Sequence, residues 1–350
     1  MTSRLAALLA VLALLAGCGG NGSGGDEAAA TAPRPATTAG EASSIRVGLV
    51  TDVGGLDDRS FNFLANKGLE RAESELGVEG RVLASRANAD YVPNLSRLAR
   101  EGYDLVIAVG PLMADAVDTV AKQFPDVDFA IVDVDQEQLK SKPRNVRGLL
   151  FEEEEAGYLV GYLAGLVTKH EAGSKQVIGS VGGMKIPPVD RYIAGYRAGA
   201  RKANPQIVTL NSYSHDFVDQ AKCKEVALDQ IANGSGVVFQ VAGQCGLGAL
   251  DAAKEKAAFG IGVDADQGYL GTHIMTSALK RVDVAVYSAI SAAKAGTLKV
   301  GINAVFSAKL NGVGYGKVSP RISTAIKAKV AAQLVLLKAG KIKGIPQAVK

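Results

Sequence analysis

Short apolar runs alternate along the chain with longer segments whose apolar residues recur at helical spacing. The first apolar run covers residues 45–50, and the first helical pattern covers 61–76 and ends before Gly77. The same reading predicts strands over 81–84, 104–109 and 128–134 and helices over 92–101 and 114–124. Buried strands separated by helices are typical of a parallel sheet covered on both faces.

The alternation then starts a second time. It predicts helices over 155–167, 191–203, 219–232 and 247–256 and strands over 176–181, 207–213, 236–242 and 259–263. We therefore expect an α/β protein with two similar doubly wound lobes, an N-terminal lobe over 45–150 and a C-terminal lobe over 151–274. The chain would cross between them near 150 and 275, and residues 275–350 would add elements to both lobes. The four acids at 152–155 suit the start of a solvated helix.

The N-terminus has the pattern of an export signal. Arg4 precedes an apolar run over 5–15 that is too short to span a bilayer, and Leu15-Ala16-Gly17-Cys18 follows. Small residues before a cysteine resemble a bacterial lipobox, which implies a signal peptide over 1–17 and a lipid on Cys18. An ordinary signal peptide with an incidental cysteine is the alternative. Residues 18–44 are rich in Gly, Ser, Ala, Thr and Pro, so they would form a flexible tether outside the cytoplasm.

Composition and residue spacing argue against several classes of function. The 350 residues are 47% hydrophobic and 21% charged, with a formal net charge of +4 and both signs interspersed. No basic stripe carries aromatic residues, so nucleic-acid binding is not expected. The three histidines lack metal-ligand spacing, and the glycines at 243–248 follow G-x-x-G-x-G rather than a dinucleotide fingerprint. We expect no cofactor, no metal and no enzyme activity.

Two cysteines remain in the body of the chain, Cys223 and Cys245. Outside the cytoplasm disulfides persist, and a bridge over about 23 residues could stabilise by roughly 3 kcal/mol. Two separate buried thiols are the alternative.

Polar residues cluster where predicted strands end. In open α/β sheets, ligands bind outside the carboxyl ends of strands, so these positions are candidates for a binding site. They are Asp52, the 57–62 loop, Gly110 and Asp133 in the first lobe, and Gly182, Gly183, the turn at Asp216-Phe217, Gly243, Asp264 and Asp266 in the second. Two lobes lined in this way would close on a ligand by a hinge motion.

Six ordered blocks carry a family resemblance. They are TDVGGLDDRSFN, EEEEAGYLVGYLAG, VGGMKIPPVDRYIAGYRAG, VVFQVAGQCGLGAL, IGVDADQ and TSALKRVD. Together, from Ile45 to Pro346, the chain resembles the basic membrane protein (BMP) family, substrate-binding lipoproteins of ABC transporters whose characterised members bind purine or other nucleosides. The resemblance implies a type I periplasmic-binding-protein fold with a hinge and a cleft between the lobes. It also implies a membrane permease as partner.

The resemblance assigns roles to eight residues. Phe61 and Phe217 would sandwich the base, Asp52 and Asn62 would hydrogen-bond its edge, and Asp133 would lie beside them. Asp264 would bind the ribose diol, Gly243 would lend its backbone, and Lys280 would close the ribose end. Cys223 and Cys245 depart from the family pattern, which puts the local shape of the cleft in doubt and favours a disulfide.

The chemistry of these residue types agrees with that assignment. An aromatic ring stacked on a base contributes roughly 1–3 kcal/mol, and a carboxylate accepts both hydroxyls of a ribose. A site rich in Asp disfavours phosphate, so nucleosides are expected rather than nucleotides.

Each assignment has an alternative. Phe61 and Phe217 could be core residues, Asp52 a helix cap, Asp264 a solvated loop residue and Lys280 a salt-bridge partner. A sugar binder, a tethered surface sensor and a nucleoside hydrolase are the alternative functions. No large apolar stripe stands out, so a monomer is expected.

Overall fold

The computed structural model describes residues 44–170 and 175–349, in which twelve strands form two sheets. The strands are β1 (Arg46–Val50), β2 (Glu79–Leu83), β3 (Leu105–Val109), β4 (Asp128–Val132), β5 (Val146–Phe151), β6 (Val177–Gly182), β7 (Val208–Tyr213), β8 (Ser235–Val241), β9 (Phe259–Asp264), β10 (Ile274–Lys280), β11 (Asn303–Phe306) and β12 (Val313–Tyr315). The predicted lipid attachment at Cys18, and the predicted tether over 18–44 except for its last residue, lie outside the described residues.

The described part of the chain has nine α-helices, eight between strands and the last after β12. They are α1 (Phe61–Leu76), α2 (Tyr91–Arg100), α3 (Ala114–Gln123), α4 (Glu153–His170), α5 (Pro187–Ala203), α6 (Gln220–Ala232), α7 (Gly246–Glu255), α8 (Val282–Lys294) and α9 (Thr324–Lys338). Among the helices of the described residues, none has the length and apolar character needed to cross a membrane.

Each sheet has six strands. The first has the order β11-β5-β4-β3-β1-β2 and is parallel throughout, and the second has the order β12-β10-β9-β8-β6-β7 with only β12 antiparallel. We call each sheet with its covering helices a lobe. The α/β class and the periplasmic-binding-protein architecture predicted from the sequence are confirmed.

The chain crosses between the sheets three times. It leaves the first sheet after β5, returns to it after β10, and enters the second again between β11 and β12. All these elements belong to one compact unit, Ser44–Lys350. All the buried core residues of the described chain belong to this unit. Strands β3 and β4 are almost wholly buried within it.

Helices α4 and α5 pack against each other unusually closely. A Cβ at Gly161 would lie 2.0 Å from the carbonyl oxygen of Tyr196, and one at Gly195 would lie 2.1 Å from that of Glu154. Glycine therefore lets the two backbones touch. This contact brings the N-terminal turn of α4 beside Tyr192 of α5, and both helices supply side chains to the site described below.

Candidate functional site

A cavity lies between the carboxyl ends of the strands of the two lobes. It encloses about 630 Å³ of space not filled by atoms, including its opening to solvent. All eight residues assigned from the sequence resemblance line it: Asp52, Phe61, Asn62, Asp133, Phe217, Gly243, Asp264 and Lys280. These residues come from both lobes, so a ligand in the cavity would contact both lobes.

Asp52 and Asn62 are held in fixed orientations at the end of β1. One carboxylate oxygen of Asp52, Oδ1, accepts hydrogen bonds from the Tyr91 hydroxyl and from the Val53 N–H. The backbone N–H of Asp52 donates to Asn62 Oδ1 at 2.9 Å. Burial raises the pKa of Asp52 to about 6, against the opposing effect of the bonds from Tyr91 and Val53. Gly110 leaves room for this carboxylate, since a Cβ there would lie 2.6 Å from Asp52 Oδ2.

Asp58 lies in the turn just before α1, within the 57–62 candidate loop, and was not among the eight residues given a role. Its carboxylate accepts the backbone N–H groups of Ser60, Asn62 and Phe63 at 3.0, 2.7 and 3.1 Å. It thereby satisfies donors that a helix start leaves unpaired and fixes the direction in which Phe61 and Asn62 enter the cavity. Burial raises the pKa of Asp58 to about 6 despite these three bonds.

The two phenyl rings come from different lobes. Phe61 is the first residue of α1 in the first lobe, and Phe217 lies in the turn between β7 and α6 in the second. Gly183 makes room for Phe217, because a Cβ there would lie 2.3 Å from the ring. The Phe217 carbonyl accepts the Cys245 N–H at 3.0 Å, which ties this turn to the start of α7.

Asp264 links the lobes. Its Oδ2 accepts the Ser60 hydroxyl at 2.9 Å from the first lobe, and its Oδ1 accepts the Tyr192 hydroxyl at 3.1 Å from the second. Asp264 and Asp133 each come directly after a buried strand residue, and they have positive φ angles of 59° and 66°. Asp is among the residues that tolerate this left-handed conformation. In both sheets the turn places a carboxylate in the cavity.

Lys280 is a buried cation among carboxylates. Only 2% of its side chain is exposed, and its ammonium donates to Asp133 Oδ2 at 2.5 Å and to Glu153 Oε1 at 2.9 Å. Burial lowers the pKa of Lys280, but Asp133, Glu153 and Asp264 outweigh that effect and raise it overall. Burial has the opposite effect on Asp133: it raises the pKa of this carboxyl, and the charge of Lys280 opposes the rise.

The expectation of a solvated helix start at 152–155 is wrong for two of its four acids. Glu153 is wholly buried beside Lys280 and Arg191, and Glu154 is buried and accepts a hydrogen bond from Gln347. The sequence pattern missed this because their partners lie far away along the chain. Tyr192 and Tyr91 were missed for the same reason, although their place on the apolar faces of helices marked them as buried.

Cys223 and Cys245 form a disulfide between α6 and the residue before α7. Both are fully buried in a small apolar cluster with Val181, Val238 and Ala249. Among residues 44–170 and 175–349, no three His, Cys, Asp or Glu side chains are arranged to hold a metal ion.

Known proteins are similar to this chain over most of its length. A family model described as "ABC transporter substrate-binding protein PnrA-like" matches residues 45–345. The chain is 35% identical to the "CD4+ T-cell-stimulating antigen" of Listeria monocytogenes, over 81% of this chain and 83% of the relative. It is 31% identical to the "ABC transporter nucleoside-binding protein BmpA" of Lactococcus lactis, over 78% and 82%.

An uncharacterized lipoprotein of Pyrococcus abyssi is 36% identical over 79% of this chain and 70% of the relative. A crystal structure of a solute-binding protein of an ABC transporter system from Aeropyrum pernix superposes with a TM-score of 0.78 at 30% identity, over 87% and 94% of the two chains. The family match and these relatives carry the same conclusion: the chain belongs to the PnrA-like (Bmp) family of ABC transporter substrate-binding proteins.

Proposed function

We propose that this substrate-binding protein captures nucleosides, with purine nucleosides favoured, for import by an ABC transporter. The observation that carries the proposal is the presence of Phe61 and Phe217, from opposite lobes, in the walls of one cavity. A flat base between two rings would gain roughly 1–3 kcal/mol from each. Because one ring comes from each lobe, binding of a base would also favour closure of the cleft.

The base edge would meet a paired acceptor and donor. Tyr91 and Val53 bind Asp52 Oδ1, and the Asp52 N–H binds Asn62 Oδ1, so the groups left for a ligand are Asp52 Oδ2 and the Asn62 amide N–H. A purine edge that carries an N–H beside an acceptor atom complements this pair.

The part of the cavity around Asp133 and Lys280 suits a ribose. The sequence resemblance gave this role to Asp264 with Lys280, but both carboxylate oxygens of Asp264 already accept hydrogen bonds, from Ser60 and Tyr192. Among the described residues, the buried Oδ1 of Asp133 accepts no hydrogen bond, and Lys280 uses two of its three N–H donors on Asp133 and Glu153. Ribose hydroxyls can donate to the carboxylate and accept from the ammonium. The cavity is lined by one lysine and by four acidic side chains, those of Asp52, Asp58, Asp133 and Asp264. This excess of acidic side chains disfavours a phosphate group.

Replacing Phe61 with Ala is expected to weaken nucleoside binding about 10- to 100-fold, since one stacking partner is lost. Phe63 provides the matched control, because it lies two residues further on the same helix and is 38% exposed outside the cavity lining. Isothermal titration of both variants measures the difference. Equal affinities for Phe61→Ala and the unchanged protein would place the ligand elsewhere.

Nucleoside affinity is expected to fall between about pH 7 and pH 5. Asp52 has a pKa of about 6, and it must be ionised to accept an N–H from the base, so a proton competes with the ligand below that pH. The loss should approach tenfold per pH unit once the pH is well below the pKa. Asp52→Asn should bind weakly and with a smaller pH dependence, to which Asp58 and Asp133 still contribute. A flat titration of the unchanged protein would remove Asp52 from the base edge.

A ligand panel tests the proposal as a whole. The protein is unfolded and refolded to remove bound ligand, then titrated with adenosine, guanosine, inosine, cytidine, uridine, free bases, AMP, ribose and glucose. We expect heat from nucleosides, strongest for purines, and none from AMP or the sugars. Binding of a sugar but of no nucleoside would replace the proposal, and release of free base from a nucleoside would indicate a hydrolase.

We further propose that the protein works outside the cytoplasm as a lipid-anchored monomer with a membrane permease. Relatives from Pyrococcus species are named lipoproteins, which supports an extracytoplasmic location. The lipid would be carried by Cys18, and residues 18–44 would tether the folded unit.

A further inference from the structure

The C-terminal part of the chain is rich in basic residues and contains no acidic ones. Residues 284–350 contain ten lysines and one arginine but no Asp or Glu, although the whole chain has a net charge of only +4. The binding cavity uses none of these basic residues. Their concentration therefore needs an explanation apart from ligand binding.

Helix α9 carries part of this charge on a surface that also exposes apolar side chains. Val330 and Leu337 face inward and are buried, and the Gln333 side chain accepts the Tyr158 hydroxyl of α4 at 3.0 Å. On the opposite side, Val335 is 67% exposed and Leu336 is 36% exposed. At 100° per residue, the outward side also carries four exposed alanines: Ala325, Ala328, Ala331 and Ala332.

Lysines border this apolar strip on both sides. Helical geometry places Lys327 and Lys338 along one border and Lys329 along the other. The Lys338 ammonium donates to Asn311 Oδ1 at 2.6 Å, which brings the preceding loop beside the helix. In that loop Lys309 is exposed and Leu310 is 64% exposed. We call this surface, formed by the outward side of α9 and the 309–311 loop, the α9 face.

Two acids of α4, a helix that packs against α9, bind other groups of the protein rather than the lysines of the α9 face. Glu155 accepts the backbone N–H of Ala308 at 2.6 Å, and Glu154 accepts the Gln347 amide at 2.5 Å. Beyond the helix, Lys341 and Lys343 add two more exposed cations. The face is therefore positive with an apolar centre.

We propose that the α9 face docks on an anionic lipid bilayer. A helix lying in a membrane interface needs an apolar strip that enters the headgroup region and flanking lysines that contact anionic headgroups, and α9 presents both. A neutral partner would leave the lysines without a counter-charge, and a purely polar partner would leave Val335, Leu336 and Leu310 uncovered. Docking would hold the folded unit in a defined orientation on the membrane. This inference does not depend on which ligand occupies the cavity.

Vesicle binding by the Ser44–Lys350 unit, which contains the whole described core and lacks the apolar leader, tests the charge requirement. We expect sedimentation with vesicles containing phosphatidylglycerol, none with pure phosphatidylcholine, and release by added salt. Replacing Lys327, Lys329 and Lys338 together with Gln should weaken binding at least about tenfold. The matched control replaces Lys67, Lys122 and Lys202, exposed lysines of α1, α3 and α5. Equal losses in both variants, or no binding to anionic vesicles, would overturn the proposal.

A fluorescent reporter tests which surface enters the membrane. The chain has no Trp, so Val335→Trp would give a single emission from the centre of the α9 face. We expect a blue shift with anionic vesicles for this variant and none for Tyr269→Trp, whose site is 59% exposed on the second lobe. A shift at residue 269 without one at 335 would assign membrane contact to another surface and overturn the proposal.

Discussion

Replacing Lys280 with Met is expected to destabilise the folded protein by about 3–5 kcal/mol, because it removes the cation that pairs with two buried carboxylates. Asp133 and Glu153 both bind the Lys280 ammonium, and without it Glu153 keeps only Arg191, at 3.4 Å, while Asp133 keeps no ion-pair partner among the described residues. Urea unfolding of the two proteins measures the difference.

The Lys280→Met effect should depend on pH in a known direction. Burial already raises the pKa of Asp133 and Lys280 opposes that rise, so without the lysine the folded state should take up a proton on Asp133 more readily than the unfolded state. Its stability is then greatest at low pH and falls as the pH rises through the pKa of Asp133, so the gap to the unchanged protein should narrow in acid. Adding Glu153→Gln should recover part of the loss.

A surface lysine provides the comparison for Lys280. Lys256 pairs with Glu255 at 3.0 Å, but both side chains are about half exposed, and Lys256→Met should cost less than about 1 kcal/mol. A loss of similar size in the two variants would show that burial of the Lys280 cluster does not govern its contribution.

Removing the disulfide by replacing Cys223 and Cys245 with Ala is expected to cost about 3 kcal/mol of stability. The bridge spans a sequence separation of 22 residues, so its loss releases a sizeable loop in the unfolded chain. Affinity for ligand should also weaken, because the bridge fixes the position of residue 245, whose backbone N–H binds the Phe217 carbonyl, against the helix that follows the Phe217 turn.

Reducing agent provides the control for the disulfide. It should lower the unfolding midpoint of the unchanged protein toward that of the double-Ala variant and leave the variant itself unaffected. An unchanged protein whose stability does not respond to complete reduction would contradict an energetic role for the bridge.

Local patterns in the sequence were sufficient for most of the secondary structure. The first strand and helix agree within a residue, because Ile45–Val50 is apolar apart from Arg46 and the helix after it has clear periodicity. Helix α5 begins at Pro187 rather than at 191, since proline is favoured in the first turn. Four strands and two helices were not predicted: β5, β10, β11, β12, α8 and α9. Of these, β11 and β12 are short and only partly buried at sheet edges.

Sequence patterns were enough to predict the α/β class, the doubly wound lobes and the polar residues at the strand ends, because each follows from short-range periodicity along the chain. How these residues are paired depends on contacts between distant parts of the chain. Ser60 reaches Asp264 across 204 residues, and Lys280 reaches Glu153 across 127. Such bonds depend on how two sheets and a hinge meet in space, and no local periodicity records that geometry. For the same reason Glu153 reads as a solvated acid in the sequence and lies buried beside a lysine in the fold.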